Sequence, residues 1–349
     1  MRNYLELVQD ILENGVSHED RTGVGRISVY GRMLRFNLQE GFPLVTTRKV
    51  PFKSIVKELL WFISGSCDAR VLKAQGVGIW DAWSVTEADI DAFLHKHSDV
   101  IRSDAPVAKE VLKELCLGSI GFMYGRAWRS IPAEVVSPFL PDVEEEDVAS
   151  DKLERWKMEY KGVGEEVSWP LYLKSRYYQE VDQLQQLIVG LKKRPYSSRH
   201  VVVAYLPQYT PIETLDAKEN VLLMRGALAA CHSFFQCFVS EGRLSLMLTQ
   251  RSADVLVGSV FNIAQYAVLA HLLARVCGYE VGELIYSLGD AHIYTNQVDL
   301  ARVQLKREPY TLPTLKVRDG VSDIYKVCSD DIWLEGYQAH EAIAYPVAV

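Results

Sequence analysis

The chain of 349 residues has room for two domains of ~150 residues each, or for one large α/β domain with insertions. Its 38 basic and 45 acidic side chains leave a net charge of −7. Polymeric DNA or RNA is therefore not expected as the main partner, because no overall positive field exists to hold a phosphate backbone. A hydrophobic content of 48% and a charged content of 24% exclude a disordered chain.

The compartment is predicted from the start of the chain, the apolar runs and the cysteines. No apolar run reaches the ~20 residues that span a bilayer, and the first apolar stretch contains Glu6. The six cysteines include no Cys-x-x-Cys pair, which favours reduced thiols in a chain of this length. We therefore expect a cytoplasmic protein that is neither exported nor bound to a membrane.

The N-terminal part predicts a helix followed by a hairpin. Apolar residues recur at helical spacing after Asn3, which can cap the helix, and Gly15 ends it. Residues 27–29 and 33–38 alternate in polarity as strands do. Because Gly31 lies between them, the pattern predicts a hairpin that turns at this glycine.

A second predicted helix, at residues 52–63, carries a carboxyl group. Its apolar side chains share one broad face, and Gly65 follows the last of them. Glu58 falls within this mostly buried helix, where a carboxyl group is rarely found without a function. An apolar setting raises the pKa of a carboxyl group toward neutral pH, so Glu58 is a candidate for proton transfer.

Two charged, irregular stretches interrupt the chain, at about residues 84–117 and 130–194. We interpret both as surface insertions that form a small helical appendage. The acidic cluster at residues 142–147 shows no defined ligand geometry, so a solvated loop is expected there. His95 and His97 lack further ligands at a suitable spacing, and no metal site is assigned.

The C-terminal part predicts most of a sheet and one long helix. Residues 201–205 predict a buried strand, and residues 232–252 alternate on both sides of Gly242, as two strands joined by a turn do. Residues 261–276 predict an apolar helix. A further hairpin-like stretch leads to an apolar tail at residues 344–349, which is unusual for a chain end.

Cys231 is the candidate nucleophile. If the two strands pair about Gly242, Cys231 lies eleven positions before the turn and Arg251 nine after it, so the two come close. A neighbouring guanidinium favours the thiolate, which is the reactive form. A buried, inert thiol is the alternative. His232 is adjacent in a strand and points to the opposite face, so it is not expected to act as the base of Cys231.

Several motifs follow one another in the order found in thymidylate synthases, and the chain resembles that family. The C-terminal segments are ALAACHSFFQCFV at 227–239, QRSAD at 250–254, FNIAQY at 261–266 and GDAHIY at 289–294. Shorter segments that agree lie at 20–23, 42–47, 58–62, 79–83, 124–129 and 346–349. The likeness covers nearly the whole chain except the two insertions, which implies one catalytic domain over residues 1–349.

The resemblance implies a fold and an assembly. The expected fold is a three-layer α/β (α+β) protein with a large, twisted, mostly antiparallel sheet packed with helices. The alternation of apolar and polar residues from His232 to Leu248 independently predicts a large buried sheet face. One face of the sheet is expected to pack on a second copy, and Arg199 would be lent across that interface of the homodimer.

The resemblance also implies a reaction, the reductive methylation of dUMP by 5,10-methylenetetrahydrofolate to give dTMP and dihydrofolate. Its first step is the addition of a cysteine thiolate to C6 of the base. The residues implied for catalysis are Cys231, Glu58, Tyr124, His232 and Asp254. The residues implied for nucleotide binding are Arg21, Arg199, Arg251, Ser252, Gln250, Asn262, His292 and Tyr294. Those implied for folate binding are Ile79, Trp80, Trp83, Leu228, Asp254, Gly258, Phe261 and Ala348.

Some positions depart from the family pattern. Ser198 stands where a second phosphate-binding arginine is usual, which implies weaker phosphate binding or a changed substrate. Ala229-Ala230 and Val260 stand where a proline is usual, and losing proline makes the local backbone less rigid. Gln297 replaces a histidine.

Two alternatives remain open. In a pyrimidine nucleotide hydroxymethyltransferase, water rather than hydride captures the one-carbon group, and cytosine can replace uracil if the amide of Asn262 is flipped. Trp80 and the apolar tail favour the reductive reaction, because they would keep the pocket dry. A non-catalytic relative that binds nucleotide or RNA is disfavoured by the net charge of −7 and by the presence of the catalytic set.

Overall fold

The computed structural model describes residues 1–19, 23–98, 105–137 and 175–347. Within these ranges the strands are β1 (Val16–His18), β2 (Arg26–Asn37), β3 (Ile131–Ser137), β4 (Ser175–Val181), β5 (Val201–Val203), β6 (His232–Ser240), β7 (Arg243–Asp254), β8 (Glu280–Tyr294), β9 (Thr314–Val317) and β10 (Ile332–Glu335). The α-helices are α1 (Arg2–Asn14), α2 (Phe52–Ile63), α3 (Ala69–Ala74), α4 (Glu87–Lys96), α5 (Ala105–Cys116), α6 (Tyr124–Arg129), α7 (Gln183–Lys193), α8 (Ala217–Leu222), α9 (Gly258–Cys277) and α10 (Val298–Leu305).

A six-stranded sheet in the order β1-β2-β8-β7-β6-β5 organises the fold. Only β7 and β8 pair in parallel, and α9 connects them; the other neighbours are antiparallel. β9–β10 and β3–β4 form separate antiparallel pairs. The α/β fold with a large, mostly antiparallel sheet is therefore confirmed.

The β6–β7 hairpin forms as predicted. Ser240 pairs with Arg243, and the two residues between them, Glu241 and Gly242, have φ values of 49° and 73°. Positive φ at both central positions is the geometry of the tight hairpin turn that suits the twist of paired strands. At the far end a β-bulge between His232 and Phe234 shifts the register by one residue, so His232 pairs with Gln250 and Cys231 lies beside Arg251.

The predicted hairpin at Gly31 is wrong. β2 is one strand, and Tyr30 and Arg32 on either side of the glycine pair with Asp290 and Leu288 in the same register. Gly31 takes φ of 71° inside this strand. Polarity alternation does not reveal whether a glycine lies in a turn or within a strand, and here the long partner β8 decides.

The first helix also begins differently from the prediction. α1 starts at Arg2, so Asn3 lies within it instead of capping it, and Gly15 follows its last residue as predicted. The Asn3 amide donates a hydrogen bond to the carbonyl oxygen of Arg35, at 2.8 Å. This side chain therefore ties α1 to β2.

The two predicted insertions differ in structure. The first contains helices α4 and α5, and His97 at the end of α4 lies 3.6 Å from Glu219. The second includes α7, whose Leu184, Leu187 and Leu191 are buried in the core, so the prediction of a surface segment is wrong there. The acidic cluster at 142–147 lies outside the described residues. Among the described residues no group of three or more His, Cys, Asp and Glu side chains is arranged to hold a metal ion.

α9 is the central helix of the core. It is 20 residues long and apolar enough to meet the length and composition of a membrane span, contrary to the expectation that no run does so. Within the protein, however, 78% of its most apolar window is buried, as in the core helix of a folded domain. Gly278 ends it with φ of 80°, the left-handed conformation common after helices.

Candidate active site

The thiol of Cys231 lies next to a guanidinium, as the hairpin register predicts. Nη2 of Arg251 is 3.8 Å from Sγ of Cys231, and the Arg251 backbone N–H donates to the Cys231 carbonyl at 3.0 Å. The same guanidinium donates to the carbonyl oxygens of Ala229 and Ala230, at 2.6 and 3.0 Å. The loop before the cysteine is thus held against the cation that favours its thiolate.

Tyr124, the first residue of α6, holds the backbone of the candidate nucleophile Cys231 through its hydroxyl oxygen. Its hydroxyl oxygen accepts the backbone N–H groups of Cys231 at 3.0 Å and of His232 at 3.5 Å. Burial raises the pKa of Tyr124 above its ordinary value, so the phenol stays protonated. Because the oxygen acts as acceptor toward the strand, its own proton is directed elsewhere in the site.

His232 packs against Tyr124 on the opposite side of the strand from the thiol. The two rings are stacked, with centroids 4.5 Å apart. Burial lowers the pKa of His232 to about 3, although a hydrogen bond with Asn262 acts in the opposite direction and raises this pKa. The imidazole is therefore neutral at ordinary pH, and the catalytic role that the resemblance implies for it remains a prediction.

Glu58 lies buried on α2 and is held at both oxygens. Nε1 of Trp80 donates to Oε1 at 2.8 Å, and Nε2 of Gln265 donates to Oε2 at 3.2 Å. Burial raises the pKa of Glu58 to about 7, although both hydrogen bonds lower it. A carboxyl group with this pKa gives and takes protons near neutral pH, which is the property required of a general acid or base.

Asn262 is oriented by a chain of buried side chains. Its Oδ1 accepts Nε2 of Gln250 at 3.1 Å, and the hydroxyl of Tyr286 donates to Oε1 of Gln250 at 2.8 Å. The Tyr286 oxygen lies 3.0 Å from the hydroxyl of Ser259, which completes the chain as donor. The amide of Asn262 therefore presents a single order of donor and acceptor.

Two of the predicted folate residues, Asp254 and Trp80, make hydrogen bonds that fix their side chains; Nε1 of Trp80 donates to Glu58. Oδ1 of Asp254 accepts the N–H groups of Leu256 and Val257, both at 3.1 Å, and Oδ2 accepts Nε2 of Gln297 at 3.2 Å. Burial raises the pKa of Asp254, and these bonds oppose the rise. The rings of Trp80 and Trp83 are in contact, with centroids 5.6 Å apart. The other predicted folate residues are accessible to a ligand: Ile79 is 40% exposed, and those that are half-buried are Leu228, Gly258 and Phe261.

The remaining predicted nucleotide residues are divided between two places. Ser252 and His292 lie on adjacent strands, since Ser252 pairs with Asp290 and Asp254 with His292, and the rings of His292 and Tyr294 are 5.2 Å apart. Arg199 is exposed in the loop before β5 and contributes nothing to this cluster within the described residues. Arg21 and Ala348 lie outside the described residues.

Sequence reasoning missed three residues of the site, Gln265, Tyr286 and Ser259. Gln265 follows Asn262 by three positions on α9, and residues at that spacing share a helix face. This spacing could have identified Gln265, but nearly all other residues of α9 are apolar and buried, so the pattern indicated a core helix. Tyr286 and Ser259 gave no comparable signal, because their contacts depend on how β8 packs on α9.

Comparison with known proteins agrees with this geometry. The family model described as thymidylate synthase matches residues 2–349. Proteins named thymidylate synthase from three strains of Francisella tularensis subsp. holarctica are each 36% identical to the chain over 349 residues, covering 100% of both sequences. The chain therefore belongs to the thymidylate synthase family of one-carbon methyltransferases.

Proposed function

We propose that this protein catalyses the reductive methylation of dUMP at C5, using methylenetetrahydrofolate and producing dTMP and dihydrofolate. One observation carries the proposal: the Cys231 thiol lies 3.8 Å from the Arg251 guanidinium, over a tyrosine that fixes the backbone of the nucleophile. A nucleophile held beside a cation is the arrangement that covalent catalysis requires.

The first step that these residues support is addition of the Cys231 thiolate to C6 of the pyrimidine. The S–C6 bond forms from the thiolate electron pair, and the electrons of the C5–C6 double bond move toward the C4 oxygen. C5 thereby becomes able to attack a one-carbon electrophile. The positive charge of Arg251 beside the sulfur favours the thiolate. The same side chain would contact the nucleotide phosphate, because a guanidinium binds phosphate oxygens directionally.

Glu58 supplies proton transfer to the base. Its pKa of about 7 makes both protonation states available at working pH. Trp80 and Gln265 hold its two oxygens in place, so its orientation is set before substrate arrives. We propose that Glu58 exchanges a proton with the C4 oxygen as charge develops there, and later assists removal of the C5 proton.

Selection of uracil is assigned to Asn262. Its amide offers an acceptor and a donor, matching the N3–H donor and the C4 oxygen of uracil. Because Gln250 Nε2 donates to Oδ1, the flipped amide would bring two donors face to face at 3.1 Å. The chain through Tyr286 therefore opposes the flip that cytosine requires.

The residues around Asp254 fit a folate. Oδ2 accepts one hydrogen bond, from Gln297, and its further acceptor capacity suits the N–H edge of a pterin. The half-buried rings of Trp80 and Trp83 would supply an apolar wall. When bound, methylenetetrahydrofolate supplies the one-carbon unit and the hydride. Trp80 also donates a hydrogen bond to Glu58, so one side chain both forms part of the apolar wall and orients the proton-transfer group.

The test combines the purified protein, dUMP and methylenetetrahydrofolate, followed by dihydrofolate absorbance and nucleotide analysis. The proposal expects dTMP and dihydrofolate in equal amounts, and no turnover from Cys231→Ser. Nucleotide turnover without dihydrofolate would instead identify a hydroxymethyltransferase, and preferential turnover of dCMP would overturn the assignment of uracil.

A homodimer is proposed on the outer face of the sheet. Phe238 on β6 is 62% exposed and Met33 on β2 is 56% exposed, and both point to the same side as Arg35 and Met247. A strand face with such apolar residues is unusual at a free surface and suits a second copy. Arg199 would then reach the site of the partner. None of the six cysteines, all of which lie in the described part of the chain, forms a disulfide, which supports the proposed cytoplasmic location.

A further inference from the structure

Gln297 connects three separate parts of the chain. This side chain is fully buried directly before α10, and its Nε2 donates both to Oδ2 of Asp254 at 3.2 Å and to the carbonyl oxygen of Pro346 at 2.9 Å. Its Oε1 accepts the backbone N–H of Tyr294 at 3.2 Å. Both amide hydrogens and the amide oxygen are thus in use, which fixes the orientation of the side chain.

The bond to Asp254 leaves the two oxygens of this carboxylate with different partners. Oδ1 is occupied by the N–H groups of Leu256 and Val257, so a ligand N–H can be accepted only at Oδ2. Gln297 takes one of the acceptor positions of Oδ2 and leaves the other in a defined direction. Gln297 therefore restricts the orientation of the Asp254 carboxylate.

The bond to Pro346 holds the C-terminal segment. Proline has no backbone N–H, so its carbonyl oxygen is its one backbone group that can be anchored. The preceding residue, Tyr345, is anchored separately: its hydroxyl donates to Oε1 of Gln304 at 2.7 Å, and Arg48 lies over its ring. Val347, the next residue, is 56% exposed. Within the described part of the chain, the Gln297 bond is the hydrogen bond nearest the C-terminus.

We propose that Gln297 is a positioning residue that couples the seating of the C-terminal segment to the orientation of the folate-binding carboxylate of Asp254. One nitrogen serves both acceptors, so displacement of the tail removes one of the three hydrogen bonds that orient the amide toward Asp254, and displacement of Asp254 removes one of those that orient it toward the tail. The ligand concerned is a heterocycle with adjacent N–H donors, here the pterin ring, and the inference rests on the proposed function. An amide does not titrate, so the coupling is independent of pH.

The test uses the full-length protein and three substitutions. Gln297→Leu keeps the size but removes all three hydrogen bonds of the amide, including the one from the Tyr294 backbone N–H. Gln297→His restores a ring N–H donor, and Tyr345→Phe loosens the tail while the three Gln297 bonds remain in place. Equilibrium binding of dUMP and of a non-reactive dideazafolate is measured for each. Hydrogen exchange at residues 344–347 reports on the tail, and thermal unfolding confirms that each variant is folded.

The expected result for Gln297→Leu is a loss of folate-analogue affinity of ~10-fold or more, from one lost hydrogen bond to a charged group, with dUMP affinity changed less than ~2-fold. Tail exchange should quicken, and Gln297→His should recover part of both effects. In a chain ending at Tyr345, the substitution should weaken the analogue less than in the full chain, because the coupled partner is gone.

Three results would overturn the coupling. They are equal effects of Gln297→Leu in the full and shortened chains, unchanged tail exchange in the folded variant, or an equal loss of dUMP affinity. If Gln297→Leu does not fold, the folate-analogue affinity and the tail exchange of Gln297→His are compared with those of Tyr345→Phe instead. Failure of the proposed function shows itself differently, as wild-type protein that makes no dTMP, and the tail-exchange measurement still decides the coupling in that case.

Discussion

Replacing Gln265 with leucine tests the assignment of Glu58 as the proton-transfer group. Leucine has a similar size and removes the hydrogen bond from Nε2 to Oε2 of Glu58, while the shorter bond from Trp80 remains. The carboxyl group therefore keeps a partner and its buried position. What changes is the stabilisation of its charged form.

The size of the change follows from the geometry. A hydrogen bond to a charged group contributes ~1.5–3 kcal/mol, and the 3.2 Å separation places this one at the weak end. Because ~1.4 kcal/mol corresponds to one pKa unit, the pKa of Glu58 should rise about one unit above its value of about 7.

Stability should change much less than the pKa. Oε1 of Gln265 is buried without a hydrogen-bond partner, so the wild-type protein already bears the cost of an unsatisfied acceptor. Leucine removes that cost, typically ~1–3 kcal/mol, and this gain offsets the lost bond. A shifted pH profile with little change in unfolding free energy would therefore point to positioning of Glu58 and not to general damage.

The assay is the pH dependence of kcat and of kcat/KM for dUMP. In Gln265→Leu the limb governed by Glu58 should move about one unit to higher pH, whether the group acts as acid or as base. Ile263→Val, a buried change on the same helix without polar consequences, is the matched control and should leave the limb in place. An unmoved limb in folded Gln265→Leu would refute the assignment of the titration to Glu58.

Three further predictions concern other parts of the molecule. Because the pKa of Glu58 is raised from 4.5 to about 7, the folded chain binds more protons than the unfolded chain between these pH values, and the free energy of unfolding should fall by ~3 kcal/mol as pH rises from 4.5 to about 7. Urea unfolding should show this pH dependence in the wild type and not in Glu58→Gln. Tyr286→Phe leaves the buried Oε1 of Gln250 without its donor, so it should cost ~1–3 kcal/mol of stability and lower the ratio of kcat/KM for dUMP over dCMP, and an unchanged ratio would contradict the relay to Asn262. Phe238→Glu places a charge on the outer sheet face, and light scattering should find monomer in place of the proposed dimer; a wild-type monomer with full activity would refute the dimer.

Local patterns in the sequence predicted much of the fold and part of the site. The turn at Gly242 and the alternation around it predicted the β6–β7 hairpin and brought Arg251 close to Cys231, as the structure has it. The exact pairing at that end depends on a β-bulge between His232 and Phe234, which the pattern did not predict. Helical spacing placed Glu58 inside a buried helix. Both predictions succeed because turn chemistry and periodicity act over a few residues.

Tertiary structure decided the contacts that tune these groups. Gln265 meets Glu58 across 207 positions, and Gln297 joins Asp254 to Pro346 across 43 and 49 positions. The continuity of β2 through Gly31 likewise depends on its partner β8. Such contacts depend on how whole elements pack, since burial and the need to pair every polar group act on the assembled chain. The sequence by itself therefore determined which chemical groups the chain offers as candidates, and only packing decided their protonation and orientation.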